Sequence, residues 1–256
     1  MLGFGLAGSH RIKRAGDLAG AAANPSILQG RTDTGPADGF SLHVEALVQQ
    51  LLQRGVGFPT SMTTRTLRRG QHLYWPGGLS KHLYSIKRGT LKTYRTGTDG
   101  RERISGFHST GQLLGLETLA ERPMRCGAIA VDTSVICQIP VQALVDGALK
   151  SGPLWHQLLE EFDNDIARLE NRLAICCLPA GERLADFILS MVNSSGEAYL
   201  PMSHREIGNY LRLVPETVSR LLTKFNQRGW LIIVGRELVI CNRNALEQAA
   251  AGHMSQ

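Results

Sequence analysis

Residues 203–229 read SHREIGNYLRLVPETVSRLLTKFNQRG, and this stretch decides the C-terminal part of the fold. Ser203 and Glu206 form an S-x-x-E capping box, in which each side chain satisfies a backbone N–H of the other's residue, so a short helix starts here and runs to about Tyr210. Leu211 to Val214 makes a tight turn. Pro215 then opens a second helix, at a position where its missing N–H costs nothing. That helix runs to about Gln227, turns Val218, Leu221, Leu222 and Phe225 inward, and stops at Gly229. Its other face displays Glu216, Thr217, Ser219, Arg220, Thr223 and Lys224. Two short helices joined in this way form a helix-turn-helix, whose second helix enters the major groove of DNA N-terminus first.

The residues on that face suit the position. Glu216, Ser219 and Arg220 stand at i, i+3 and i+4 in the first turns. An arginine can bond two acceptors of guanine, a glutamate can accept from the cytosine amino group, and a serine can serve either way. Lys224 and Arg228 lie further along, at the level of phosphates. Ser203, His204, Arg205, Arg212, Pro215 and Thr217 flank the face and complete the candidate DNA-binding set. Beyond Gly229, Trp230–Val234, Gly235-Arg236 and Glu237–Cys241 read as a β-hairpin, a wing. From Ser203 to Arg243 seven basic residues face three acidic ones, so this segment holds +4 of the chain's net charge of +6. A basic module of this kind suits a polyanionic partner.

N-terminal to it, Pro153 to about Leu178 is helical in pattern. Trp155, Leu159, Phe162, Ile166, Leu169, Leu173 and Cys176 are spaced 4, 3, 4, 3, 4, 3, the 3.5-residue repeat of a coiled-coil seam. The rest of the segment is polar (Glu160, Glu161, Asp163, Asp165, Arg168, Glu170, Arg172), which leaves one apolar stripe for a partner helix. Pro179 and Gly181 interrupt, and a further helix from Glu182 to Val192 turns Leu184, Phe187, Ile188 and Met191 inward. From Met62 to Pro140 short extended stretches alternate with glycines, the pattern of an antiparallel barrel or sandwich. Thr98-Asp99-Gly100-Arg101 is a hairpin tip, because Asp-Gly tolerates positive φ. A first helix is expected around Leu42, Ala46, Leu47, Gln50 and Leu51. The Gly-, Ala- and Ser-rich residues before it read as a flexible arm.

Several function classes are excluded. No apolar run reaches the length of a membrane helix, and the apolar start Met1–Gly8 precedes its basic residues, the reverse of a secretory signal. The five cysteines lack zinc spacing. There is no GxSxG elbow, HExxH helix or P-loop, so the chain is expected not to be an enzyme. A cytoplasmic protein with reduced thiols is the expectation.

IGNYLRLVPETVSRLLTKF (207–225) closely resembles the recognition module of the CRP/FNR superfamily, and Glu216-x-x-Ser219-Arg220 is similar to the FNR branch. LYSIKRGTLKTYRTGTDGRERISGFHSTGQLLGLETL (83–119) resembles the FNR-type β-roll. The resemblance implies an α+β chain: a flexible arm at 1–40, a cupin-like, cyclic-nucleotide-binding-like β-roll sensor domain at 41–150, a dimerisation helix at 151–178, a winged helix-turn-helix at 179–248 and a flexible tail at 249–256. It implies a homodimer on double-stranded DNA that acts on RNA polymerase, with a palindrome of the type TTGAT-N4-ATCAA as its site. In cluster-bearing members an acidic residue on the dimer helix repels its twin. Here the stripe is uninterrupted, with Asp163 and Asp165 beside it.

Two departures from the family matter. Oxygen-sensing members hold a [4Fe–4S] cluster with three arm cysteines and one in the β-roll. Cys137 matches the last, but residues 1–60 contain no cysteine, and one thiolate does not replace four, so no cluster is expected. The nucleotide-binding members use a Gly-Glu pair and an Arg-Ser pair, where this chain has Gly115-Leu116 and Arg125-Cys126. Arg125 could still meet a phosphate, whereas Leu116 cannot bond a ribose hydroxyl. Arg125, Cys126 and Cys137 are therefore the candidate effector or redox residues, with Cys176-Cys177 as a conceivable crosslink across the dimer. Other relatives act without a ligand, respond through a single thiol, or bind haem, for which His43, His72, His82 and His108 are conceivable ligands. The alternative reading is therefore a haem- or small-molecule-responsive sensor whose β-roll gates DNA binding.

Overall fold

The computed structural model describes residues 62–150, 152–192 and 196–252. The arm, the helix expected around Leu42–Leu51, and His43 lie outside the described residues. Eight strands come first: β1 (Thr63–Leu67), β2 (His72–Tyr74), β3 (His82–Arg88), β4 (Leu91–Thr96), β5 (Glu102–His108), β6 (Leu113–Leu114), β7 (Gly127–Ala130) and β8 (Ser134–Pro140). They form two four-stranded sheets, β1-β8-β3-β6 and β2-β7-β4-β5. All described pairings in them are antiparallel. The expected hairpin tip joins β4 to β5, with Gly100 at φ +72°. Leu67, Leu73, Tyr84, Ile86, Leu91, Leu114 and Ile136 make up most of one buried cluster. A second, Leu83, Leu113, Leu116, Cys137, Ile139 and Leu144, continues to helix α1 (Val141–Lys150). This is the β-roll.

Helix α2 (Gly152–Ile175) stops short of the expected Leu178, leaving Cys176 in the turn that follows. Its two long faces differ. Trp155, Leu159, Phe162, Ile166, Leu169 and Leu173 are exposed, Leu173 at 73% and Leu169 at 59%. The opposite face is not simply solvated. Glu161 is only 3% exposed, and burial raises its carboxyl pKa against the opposing pull of Arg168. Arg168 bridges Glu161 at 3.2 Å and also pairs with Asp165, so Asp165 is engaged on its own helix. Arg172 reaches β5, donating to the carbonyls of Ile104 (2.8 Å) and Ser105. Charged residues thus hold α2 on the β-roll and leave its apolar stripe open.

Pro179 is the N-cap of α3 (Ala180–Met191), so Gly181 belongs to that helix's first turn and does not break it. The C-terminal module follows: β9 (Glu197–Tyr199), α4 (His204–Leu211), α5 (Pro215–Gln227), β10 (Leu231–Val234), β11 (Glu237–Ile240) and α6 (Arg243–Ala250). The wing hairpin β10–β11 gains β9 as a third strand, in the order β10-β11-β9. Residues 249 and 250, assigned from sequence to the tail, are the last turn of α6, and Ala249 is fully buried against the module's core. Leu184, Phe187 and Ile188 of α3, Val218, Leu222 and Phe225 of α5, and Leu246 of α6 share that core.

Candidate nucleic-acid interface

The helix-turn-helix is built by local signals. Ser203 Oγ accepts from the Glu206 N–H at 3.3 Å, and Glu206 Oε2 accepts from the Ser203 N–H at 2.9 Å, so the capping box is complete. Burial pushes the Glu206 carboxyl up, but the Ser203 N–H and Lys92 outweigh it and hold the carboxyl below its ordinary range. At the other end of α4, Arg212 takes a left-handed conformation (φ 56°) and lets the chain turn sharply. The turn also needs Gly208. A Cβ there would stand 2.5 Å from the Leu213 carbonyl oxygen, and Leu213 N–H donates to the Gly208 carbonyl at 2.8 Å. Gly208→Ala is therefore expected to destabilise the module by about 1–3 kcal/mol and to abolish DNA binding. Thermal melts and gel shifts check this, and wild-type behaviour in both would show that the turn has room.

Pro215 is the first residue of α5, as its sequence position suggests. Val218, Leu222 and Phe225 are buried, and Leu221 is half-buried. Glu216, Ser219, Arg220, Thr223 and Lys224 are exposed on the opposite side, while Thr217 and Pro215 are half-buried at its margin. Thr223 Oγ1 bonds back to the Ser219 carbonyl at 2.9 Å, leaving the Ser219 hydroxyl on the open face. Ser203, His204 and Arg205 are exposed at the N-terminus of α4, and Arg212 is exposed in the turn. The Arg228 guanidinium lies over the Trp230 ring at 5.2 Å, at the root of the wing. Ser203, His204 and Arg205 stand at the N-terminal end of α4, and Glu216, Thr217, Ser219 and Arg220 in the first turns of α5, where helix dipoles add positive potential, whereas Arg212, Lys224 and Arg228 lie at the C-terminal ends of the two helices. The candidate dimer-seam residues Trp155, Leu159, Phe162, Ile166, Leu169 and Leu173 lie on α2, with Cys176 in the turn after it.

The candidate effector residues do not converge. Leu116 is buried in a 3-10 turn and offers no acceptor, while Arg125 is exposed. Cys126 is half-buried, its thiol pKa raised by burial and by Glu117. Glu117, which the sequence reading passed over, accepts from the Arg125 N–H at 3.4 Å. Cys137 is packed in the β-roll core with its sulfur 3.9 Å from that of Met62. His72 stacks on Trp75, and His82 sits in β3 across from Pro140. His108 has Nε2 at 3.1 Å from Thr93 Oγ1 and Nδ1 closed off from solvent. Burial and then the charge of Arg168 lower its pKa to about 3. Among the described residues no group of three His, Cys, Asp or Glu could hold a metal ion, and no helix is long and apolar enough to cross a membrane.

Comparison with known proteins agrees with this architecture. Residues 64–148 match the cyclic nucleotide-binding domain, and residues 182–249 match the Crp-like helix-turn-helix domain. The fumarate and nitrate reduction regulatory protein of Escherichia coli K12 is 35% identical over 197 residues, covering 74% of this chain and 78% of the relative. The structure of FixK2 from Bradyrhizobium japonicum superposes with a TM-score of 0.69 at 28% identity, over 74% of this chain and 98% of that one. A CRP-family transcriptional regulator of Thermus thermophilus shares the fold (TM-score 0.59, 19% identity), over 73% of this chain and 96% of the other.

Proposed function

Because the chain belongs to the CRP/FNR family of transcription regulators, we propose that it works as a homodimer whose two α5 helices read an FNR-like palindrome, TTGAT-N4-ATCAA, in successive major grooves. The family consists of DNA-binding regulators and not enzymes. The observation that carries the reading is the face of α5: Glu216, Ser219 and Arg220 stand exposed in its first turns while Val218, Leu222 and Phe225 anchor the helix from behind. Base reading falls to those three, and phosphate contact to Ser203, His204, Arg205, Arg212, Thr217 and Lys224. The open stripe on α2 supplies the dimer seam, and half-sites about one helical turn apart fit a two-fold pair of recognition helices. On a promoter the bound dimer acts on RNA polymerase, and the cytoplasm is its place of work.

The regulator operates without an iron–sulfur cluster, without a cyclic nucleotide and without haem. Residues 1–60 hold no cysteine, and Leu116 stands where a ribose acceptor would be needed. Of the described haem candidates, His72 stacks on Trp75, His108 is buried against Thr93, and His82 in β3 is paired with Pro140 of β8. Protein purified in air and protein purified anaerobically should shift the palindrome at equal concentrations and leave a scrambled duplex unshifted. Equal affinity for palindrome and scrambled DNA would overturn the base-reading role. A brown anaerobic preparation with stoichiometric iron and sulfide, or an air-sensitive shift, would overturn the cluster-free reading.

A further inference from the structure

Strand β5 lies at the edge of its sheet, in the order β2-β7-β4-β5. Its outward N–H and C=O groups need partners from elsewhere. The side chain of Asn209, on α4, supplies them. Its Oδ1 accepts from the Ile104 N–H at 2.7 Å, and its Nδ2 donates to the Glu102 carbonyl at 2.8 Å. One amide thus takes the place of the residue that a neighbouring strand would offer. Asparagine is suited to this, because its planar donor and acceptor match the spacing of alternate backbone groups on an extended chain.

Further contacts lie around that pairing, from Lys92, Arg69, Phe107 and Arg172. Lys92 of β4 bridges Glu206 at 2.9 Å, with both side chains largely buried. Arg69, in the β1–β2 turn, donates to the Pro201 carbonyl at 3.2 Å, just before α4 begins. Phe107 of β5 meets Tyr210 of α4 (5.3 Å) and Phe187 of α3 (6.0 Å), and the last two meet each other (5.7 Å). Arg172 of α2 bonds the same Ile104–Ser105 backbone and lies 4.8 Å over the Tyr210 ring. The segment of β5 held by Asn209 is therefore also held by the helix that carries the apolar stripe. None of these contacts covers the exposed face of α5.

We infer that Asn209, with Lys92, is a positioning residue: pairing to the open edge of β5 fixes the helix-turn-helix against the β-roll and α2, and so sets the angle between the two recognition helices of the dimer. The β-roll is then a rigid mount for the DNA-reading module. This rests on the homodimer reading above. An unclasped module spends only part of its time in the palindrome-matching orientation, and its apparent affinity for the palindrome falls by that fraction. Affinity for one half-site does not, because one module suffices.

The test uses the full chain with Asn209→Ala and Lys92→Ala combined, and Glu206→Gln alone, which keeps the carbonyl acceptor of the capping box and removes the charge facing Lys92. Binding is measured on single half-sites and on TTGAT/ATCAA palindromes with spacers of 3, 4 and 5 base pairs. Wild type should prefer the 4-base-pair spacer by about tenfold or more, since each added pair rotates a half-site by about a tenth of a turn. The double variant should keep the wild-type half-site affinity and lose most of that preference. Glu206→Gln should lie between. Unchanged preference, tighter palindrome binding, or loss of half-site binding along with the palindrome would each overturn the positioning role. Single-molecule energy transfer between dyes at positions 98 and 227 of one protomer gives a second readout that needs no dimer. The distance distribution should be narrow in wild type and broad in the double variant, and equal widths would overturn the inference. A wild type without spacer preference would sink the homodimer reading, and the energy-transfer widths would still decide this one.

Discussion

Leu169→Asp yields a folded monomer that no longer binds the palindrome. In the single chain Leu169 is 59% exposed, with Ile166 at 54% and Leu173 at 73% beside it. Replacing Leu169, more than half exposed, removes little packing within the protomer, so its melting temperature should stay close to that of dissociated wild type. In the dimer the situation reverses. Each large side chain buried in the seam contributes roughly 1.5–3 kcal/mol, and two aspartates brought face to face there lose hydration worth several kcal/mol per ion. The stripe itself carries no cation to relieve them, and Arg168 is already paired with Glu161 and Asp165. Without the second subunit, the gain from linked half-site binding, on the order of 10²–10⁴ in affinity, is lost. Sedimentation velocity and gel shift check both halves of the prediction. A variant that still sediments as a dimer would place the interface elsewhere.

The second large effect is one of discrimination. Arg220→Ala should lose on the order of 1–3 kcal/mol on the cognate palindrome and almost nothing on scrambled DNA, because a base-edge contact is lost only where the base is present. Arg220 is exposed two turns into α5 on a helix pinned by Val218, Leu222 and Phe225, so truncating it leaves the module intact. Lys224→Ala should behave differently. A phosphate contact is independent of sequence, so both duplexes should weaken together, and the slope of log affinity against log salt should flatten by about one. Equal losses for Arg220→Ala on both duplexes would move Arg220 from the bases to the backbone.

The helix-turn-helix was legible because its signals are local. Ser203 and Glu206 are three residues apart, Pro215 marks a helix start, and Gly229 marks a stop. The hairpin of β4 and β5 was legible for the same reason, through Asp99-Gly100. What escaped is either short or long-range. Strand β9 spans only Glu197–Tyr199, too few residues for an alternating pattern. Helix α6 packs with Leu246 and small alanines, so its hydrophobic stripe is faint, although Asn242 was a usable signal: its side chain accepts from the Ala245 N–H at 3.0 Å. The polar face of α2 reads as solvated, and nothing in the spacing of Glu161 announces that it is buried against the β-roll. Asn209 and Lys92 are more than a hundred residues from their partners on the other side of the clasp. Their roles depend on which strand ends up at the sheet edge, and that is a property of the assembled fold. Among the candidate site residues, Glu216, Ser219, Arg220 and Lys224 share the exposed side of α5. Arg125, Cys126 and Cys137 share no surface, because Arg125 points to solvent while Cys137 sits in the core.

Native mass spectrometry of the wild-type protein, titrated into a duplex carrying one TTGAT-N4-ATCAA site, tests the two-fold reading most directly. Two protomers per duplex should appear from the first additions of protein, with no complex of one protomer accumulating. A complex of one protomer per duplex that fills first, or the same stoichiometry on a scrambled duplex, would contradict a preformed homodimer reading its palindrome.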